Sequence, residues 1–137
     1  MVKDADLLKD SLVGMNERDS VLFKLSNDPR VTRLGRFLRR HSLDELPQLL
    51  NILRGDMSFV GPRPPLAEEV AMYEPEHFIR LAVLPGLTGL WQVEARRNPS
   101  FANYISLDTE YVRKWTLWMD IKIIFRTAGA VLRGTGA

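Results

Sequence analysis

Residues 54–65 read RGDMSFVGPRPP and separate one group of predicted helices from another. Gly55 is typical of a helix C-terminus, because glycine adopts the left-handed backbone that often ends a helix. Residues 57–60 are a short apolar segment that predicts an extended piece. Three prolines within residues 62–65 exclude a helix or a central strand and restrict the backbone on both sides of Arg63.

Apolar residues recur at helical spacing on both sides of this stretch. The predicted helices cover residues 31–40, 44–54, 66–73, 75–84, 104–118 and 120–132. The third of these is short, and Pro85 with Gly86 ends the fourth. A second extended piece is expected near residues 90–93. The prediction is an α+β fold, a mostly helical single domain with a few short strands and amphipathic helices suited to a membrane surface.

Two apolar faces follow from the same spacing. In residues 44–54 the leucines at positions 46, 49, 50 and 53 are expected to face the core. In the last helix, apolar residues between Ile121 and Leu132 are expected to share one side. We expect Asp44 to be the N-cap of the earlier helix, because Pro47 is tolerated only in a first turn.

The composition excludes several classes of protein. The chain has 137 residues, of which 45% are hydrophobic and 26% are charged, as in an ordinary globular domain. It has no cysteine and only two histidines, which excludes a disulfide scaffold and argues against a multi-histidine zinc site. The net charge of +2 identifies no partner. No apolar stretch is long enough for an ordinary transmembrane helix.

Asp44 and Glu45 are the strongest candidates for chemistry. A helix N-terminus attracts anions and favours ionised carboxylates. An ionised aspartate can attack phosphorus, and paired carboxylates can hold Mg²⁺. The alternative is that both residues are only helix caps, which spacing alone favours.

Three further residues are candidates for binding an anion or for simpler roles. Arg63 has a rigid proline-flanked backbone, so its guanidinium loses less entropy on meeting a diphosphate; alternatively, it is a solvated surface arginine. Arg96 lies in a predicted loop, where it either clamps an anion or is solvated. Asp120 stands at the head of the last predicted helix, and spacing alone favours a capping role.

The sequence resembles the bacterial sugar transferase family, whose members are monotopic phosphoglycosyl transferases that act on polyprenyl phosphates. The resemblance covers nearly the whole chain from about residue 24. The segments that carry it are Asn27 to Arg40, Ser42 to Asn51, Gly55 to Pro64, Pro85 to Val93 and Trp118 to Ile123.

The resemblance implies a reaction and its site residues. A sugar-1-phosphate would pass from a UDP-sugar to undecaprenyl phosphate with release of UMP, the first membrane step in the synthesis of an exopolysaccharide, capsule or glycan. Asp44 would be the nucleophile that carries a phosphosugar, and Glu45 would join it in holding Mg²⁺. The remaining residues that the resemblance assigns, all to substrate binding, are Arg39, Pro62, Arg63, Pro64, Arg96 and Asp120.

The resemblance also implies a location. Residues 1–137 would form a catalytic domain, truncated at its N-terminus relative to the family, which carries a hydrophobic re-entrant helix before this point. The partners would be the UDP-sugar, undecaprenyl phosphate and the inner leaflet at the cytoplasmic face of the bacterial inner membrane, with a homo-oligomer left open. A second departure is Ala95, where the family has glycine before the residue that corresponds to Arg96.

Two other functions remain open from the residues. The amphipathic last helix is consistent with a non-catalytic fragment that docks on a membrane or takes part in assembly. The five arginines between positions 30 and 40 are consistent with nucleic-acid binding or, more simply, with a solvated helix face. The family that the sequence resembles does not act on nucleic acid, so we expect no nucleic-acid partner.

Overall fold

The computed structural model describes residues 1–12, 14, 25, 28–95 and 100–134. Helices dominate this part of the chain, and two short strands pair within it. The α-helices are α1 (Ala5–Leu12), α2 (Arg33–Arg40), α3 (Gln48–Arg54), α4 (Ala67–Val70), α5 (Leu90–Glu94), α6 (Phe101–Lys114) and α7 (Leu117–Leu132). The 3-10 helices are Leu43–Glu45 and Pro75–Leu81, and the strands are β1 (Ser58–Val60) and β2 (Gly86–Thr88). The predicted mostly helical α+β fold is confirmed.

The two strands run parallel, with Ser58 opposite Gly86 and Val60 opposite Thr88. The first strand lies where the sequence predicted it, but the prediction of an extended piece at residues 90–93 is wrong, because those residues belong to α5. The pairing brings the backbones so close at Gly86 that a side chain there would not fit. A Cβ atom there would lie only 2.1 Å from the Gly61 nitrogen.

The predicted start of the helix after α2 is also wrong. The α-helix α3 begins at Gln48 with Pro47 as its N-cap, and Asp44 lies in the separate 3-10 helix. Ser42 takes a left-handed conformation with φ 53° and ψ 25°, which turns the chain between α2 and this 3-10 helix. Neither Asp44 nor Ser42 caps α3, so the interpretation of the acidic pair as caps of that helix fails.

The long C-terminal helices are divided at a different point from the one predicted. Trp115 is extended, with ψ 134°, and Thr116 is the N-cap of α7, since its hydroxyl accepts a hydrogen bond from the Met119 nitrogen at 3.1 Å. Asp120 therefore lies inside the first turn of α7 and is not its cap. Of the predicted helices at 66–73 and 75–84, the structure retains α4 and the 3-10 helix that ends at Leu81.

The core consists of two clusters, and α6 contributes residues to both. One contains Val60, Leu90, Tyr111 and Ile123. The other contains Trp91, Ala95, Tyr104 and Ile105. Both clusters contain residues of α5 and α6, and Leu107 of α6 packs against both of them.

The predicted buried face of α3 is wrong in the structure, and the apolar face predicted for the last helix is exposed. The α3 side chains Leu50 and Leu53 are 57% and 84% exposed, and on α7 Phe125 and Leu132 are 74% and 85% exposed. The buried residue of α7 is Ile123. No described element covers these apolar faces, which explains why helical spacing alone misplaced the core. The described residues also contain no helix long and apolar enough to cross a membrane.

Candidate active site

Asp44 and Glu45 form an exposed acidic pair on a single 3-10 turn. The turn follows Ser42, whose positive φ is uncommon for a residue other than glycine. Backbone positions of this kind cluster at functional sites, because the rest of the fold has to stabilise them. The local geometry therefore presents both carboxylates to solvent and uses neither to cap α3.

Arg39 approaches Asp44 from the last turn of α2. Its Nε atom lies 3.8 Å from Oδ2 of Asp44, and both side chains are partly exposed. The neighbouring Arg40 donates from Nε to the carbonyl oxygen of Gly134 at 3.2 Å, which holds the end of α2 against the end of α7. The structure thus brings together Arg39 and Asp44, two of the residues predicted from the sequence.

A cavity of about 320 Å³ opens beside the acidic turn. Its walls are mostly apolar and come from the 3-10 helix, both strands, α5 and α7. Glu45, Phe59, Thr88, Gln92 and Ile124 are among the lining residues. Glu45 therefore borders an apolar space as well as solvent.

Arg63 is held at both its side chain and its backbone. Its guanidinium carbon lies 6.0 Å from the centre of the Trp91 ring, and its carbonyl oxygen accepts a hydrogen bond from Nη2 of Arg80 at 2.9 Å. Pro62 is buried and Pro64 is exposed. Among the described residues, Arg63 forms no ion pair with Asp44, which instead lies beside Arg39.

Arg80 is a buried residue that sequence reasoning missed. Its side chain is fully buried, and Nη2 lies 2.5 Å from a carboxylate oxygen of Asp108. Nη1 donates to the Tyr73 hydroxyl, and Nη2 donates to the Tyr104 hydroxyl. Burial raises the pKa of Asp108 to about 6, although Arg80 acts in the opposite direction. The available signal was Asp108 itself, because a carboxylate four residues after Tyr104 lies on the buried face of α6 and requires a partner.

Asp120 is connected to the end of β1 through Tyr111. Its Oδ1 accepts from the Tyr111 hydroxyl at 2.8 Å, and its Oδ2 accepts from Nε1 of Trp115 at 3.0 Å. The Tyr111 hydroxyl also lies 3.2 Å from the carbonyl oxygen of Val60, two residues before Pro62. Burial and the Asp120 carboxylate both raise the pKa of Tyr111, so it remains a neutral donor.

Arg96 lies outside the described residues. The preceding Ala95 is buried and ends α5 with φ −117° and ψ 15°. Alanine adopts this conformation readily, so the absence of the family's glycine imposes no backbone strain here.

The donor set at Asp44 and Glu45 suits Mg²⁺. This ion is commonly bound by one or two carboxylates and completes its shell with water and substrate phosphates. In the described part of the chain, no third carboxylate or histidine lies close enough to complete a protein-only site with this pair. A Mg²⁺ ion bound by this pair would therefore need water or phosphate oxygens for the rest of its coordination shell.

Comparison with known proteins identifies the relatives of the chain. The family model described as bacterial sugar transferase matches residues 1–134. The undecaprenyl-phosphate galactose phosphotransferase of Salmonella typhimurium is 53% identical over 84% of this chain and 24% of its own length. The exopolysaccharide production protein ExoY of Rhizobium meliloti is 51% identical over 83% of this chain and 50% of its own length. A UDP-glucose:undecaprenyl-phosphate glucose-1-phosphate transferase of Caulobacter vibrioides is 48% identical over 77% of this chain and 42% of its own length. The chain thus matches half or less of each of these relatives.

Proposed function

The chain belongs to the bacterial sugar transferase family, and we propose that residues 1–137 form the catalytic domain of a phosphoglycosyl transferase. The donor would be a UDP-sugar and the acceptor undecaprenyl phosphate. The relatives' names support this choice, since two of them specify undecaprenyl phosphate and one also specifies a UDP-sugar. The product would be the first lipid-linked sugar of an exopolysaccharide, capsule or glycan.

The proposed reaction has two displacements at phosphorus. A carboxylate oxygen of Asp44 attacks the phosphorus that bears the sugar, the bond to the second phosphate breaks, and UMP leaves with the electron pair. A phosphate oxygen of undecaprenyl phosphate then attacks the same phosphorus and returns the Asp44 carboxylate. Covalent catalysis of this kind divides one difficult transfer into two steps.

The surrounding residues would supply position and charge, which dominate catalysis of phosphoryl transfer. Arg39 lies beside the nucleophile, and Arg63 would bind the diphosphate through its planar guanidinium. Arg96 would add a further cation, and Asp120 would orient the region around β1 through Tyr111. Mg²⁺ held by Asp44 and Glu45 would neutralise charge on the diphosphate.

The observation that carries the proposal is the position of Asp44, a partly exposed carboxylate 3.8 Å from the Arg39 guanidinium on a turn where it does not cap α3. We expect Asp44→Asn to abolish both covalent labelling by a radioactive UDP-sugar and the release of UMP. Glu110→Gln is the control, because Glu110 forms an exposed ion pair with Lys114 one turn along α6, and this change should leave both readouts unchanged. Normal turnover by Asp44→Asn would exclude the nucleophile role.

Membrane docking without catalysis is a second candidate function. The exposed apolar side chains of α2 and α7 favour it, since Phe37 and Phe125 are 55% and 74% exposed. For either function, we propose the cytoplasmic face of the bacterial inner membrane as the location. A UMP-release assay with undecaprenyl phosphate, a UDP-sugar and Mg²⁺ distinguishes them. Turnover by wild type and none by Asp44→Asn supports the enzyme, whereas vesicle binding by wild type without turnover supports the docking fragment.

A further inference from the structure

Among the described residues, Arg63 belongs to a ring of contacts that also includes Trp91, Tyr104 and Arg80. Its guanidinium faces the Trp91 ring, and the Trp91 ring lies edge-on to Tyr104 with ring centres 5.2 Å apart. The Tyr104 ring in turn lies 4.2 Å from the guanidinium carbon of Arg80. Arg80 returns to the Arg63 backbone through its hydrogen bond to the carbonyl oxygen. The contacts therefore restrain both ends of Arg63.

Asp108 fixes the orientation of Arg80 within this set. The two side chains form an ion pair with exposures of 0% and 1%, so solvent hardly weakens it. Asp108 also accepts a hydrogen bond from the backbone of Arg63, and this contact lowers the pKa of Asp108 against the effect of burial. A buried pair of this kind is costly to desolvate, which offsets much of the attraction between the two charges. We therefore assign the pair a role in local geometry and not mainly in stability.

We propose that Arg80, Asp108 and Tyr104 are positioning residues that hold Arg63 ready to bind the diphosphate of the donor, an inference that rests on the proposed function. The three come from the 3-10 helix Pro75–Leu81 and from α6, and none needs to touch the substrate. Pre-ordering the guanidinium reduces the entropy lost when the anion binds. Arg80 therefore acts on the ligand only through Arg63.

This mechanism predicts that changes at Arg80 and Arg63 are not additive. The probe is UDP with Mg²⁺, and its dissociation constant is measured by calorimetry on the whole gene product. We expect Arg63→Ala and Arg80→Lys each to weaken UDP binding by about tenfold, with the double variant within about twofold of Arg63→Ala alone. If the two residues acted separately, the double variant would lose about a hundredfold.

The control is Arg30→Lys, which changes a second buried arginine that pairs with an aspartate, Asp28. It should lower the thermal midpoint while leaving UDP affinity within about twofold, and any effect should add to that of Arg63→Ala. Tyr104→Phe is the second test variant, in case Arg80→Lys does not fold. This change removes the Tyr104 hydroxyl that accepts a hydrogen bond from Arg80, and it keeps the ring against Trp91. We expect UDP affinity to fall about threefold, and we expect no such fall in the Arg63→Ala background.

The outcomes separate this inference from the proposed function. Additive losses, or unchanged affinity in both test variants, would overturn the positioning role even if the wild type releases UMP normally. Failure of the wild type to bind UDP would overturn it as well, because Arg63 would then hold no diphosphate. Non-additive UDP binding in a protein that forms no covalent intermediate would support the positioning role and reject the enzymatic proposal.

Discussion

Two buried aspartate–arginine pairs in this chain have opposite electrostatic balances. Asp28 accepts from Nε of Arg30 at 2.9 Å and from Nη2 at 2.7 Å, and it also accepts from the Arg30 backbone nitrogen. These hydrogen bonds outweigh burial and lower the pKa of Asp28. Burial is the larger effect at Asp108, whose pKa rises to about 6. The same pair of residue types therefore responds to acid in two different ways.

The free energy of unfolding should show this difference at Asp108. Its pKa is about 3.9 in an unfolded chain and about 6 in the folded one, so the folded state binds the extra proton between these pH values. The contribution of Asp108 to stability must fall as pH rises through this window, by about 2 kcal/mol, and then stay constant. Asp108→Asn should remove that component from urea unfolding curves measured at pH 4 and pH 7.

Asp28→Asn is the matched comparison, because the contribution of Asp28 to the free energy of unfolding changes with pH in the opposite direction. The pKa of Asp28 is lowered, so its contribution is complete above the unfolded pKa and is lost as pH falls through the folded one. Subtracting the free energy of unfolding of each variant from that of the wild type at each pH cancels the contributions of the other titrating groups. Parallel pH profiles for wild type and Asp108→Asn would show that the Arg80 pair stays ionised throughout.

At the scale of elements, the β1–β2 pair depends on glycines whose backbones nearly touch. A Cβ on Gly86 would lie 2.5 Å from the Thr88 oxygen and 2.6 Å from the Val60 carbonyl carbon. A Cβ on Gly89 would lie 2.3 Å from the Gly61 oxygen. These contacts are with backbone atoms of the paired segments, which cannot move aside without separating the strands.

Gly86→Ala should therefore destabilise the fold by about 3 kcal/mol or more, at the upper end of overpacking effects, because the clash is with backbone. Gly14→Ala is the control, since no atom of the described residues lies within 4 Å of the added carbon and stability should stay within about 1 kcal/mol of wild type. The measurement is urea unfolding followed by circular dichroism. A Gly86→Ala protein as stable as wild type would show that the strands are not held this closely.

The same glycines show what the sequence could predict and what it could not. Helical spacing located α2, α6 and α7, and the prolines correctly indicated an irregular segment around Arg63. The second extended piece was expected at residues 90–93, whereas the strand that pairs with β1 is Gly86–Thr88. Pairing depends on which backbones approach each other across 28 residues, as Ser58 and Gly86 do, and residue type does not encode that distance.

For the candidate site too, the sequence indicated some residues and missed others. Asp44, Glu45 and Arg63 were identified from local chemistry and from the family resemblance. Arg80 was not, because nothing in its neighbourhood marks it and its partner Asp108 is 28 residues away. The expected role of Asp120 as a cap failed because Thr116 supplies a better-placed oxygen one turn earlier.

At the scale of the whole molecule, α2 and α7 both expose apolar side chains, and the ends of the two helices lie together. Arg40 connects the ends of the two helices through Gly134. On α7, Trp118, Phe125 and Leu132 recur every seven residues and are 63%, 74% and 85% exposed. Helix α2 adds Leu34 and Phe37 between exposed arginines and has no acidic residue. An apolar stripe flanked by arginines is typical of a helix that lies in an anionic membrane surface.

Vesicle binding should therefore depend on both apolar contact and charge. We expect the double change Phe125→Ser and Leu132→Ser to weaken binding to phosphatidylglycerol-containing vesicles about tenfold or more at every salt concentration, because about 1.5–3 kcal/mol is associated with each fully buried apolar side chain. Arg36→Gln should weaken binding only at low salt, and not to neutral phosphatidylcholine vesicles. Sedimentation with the vesicles measures both, and thermal midpoints should not change because all three side chains are exposed. Undiminished binding by the double variant would show that this face does not contact the lipid.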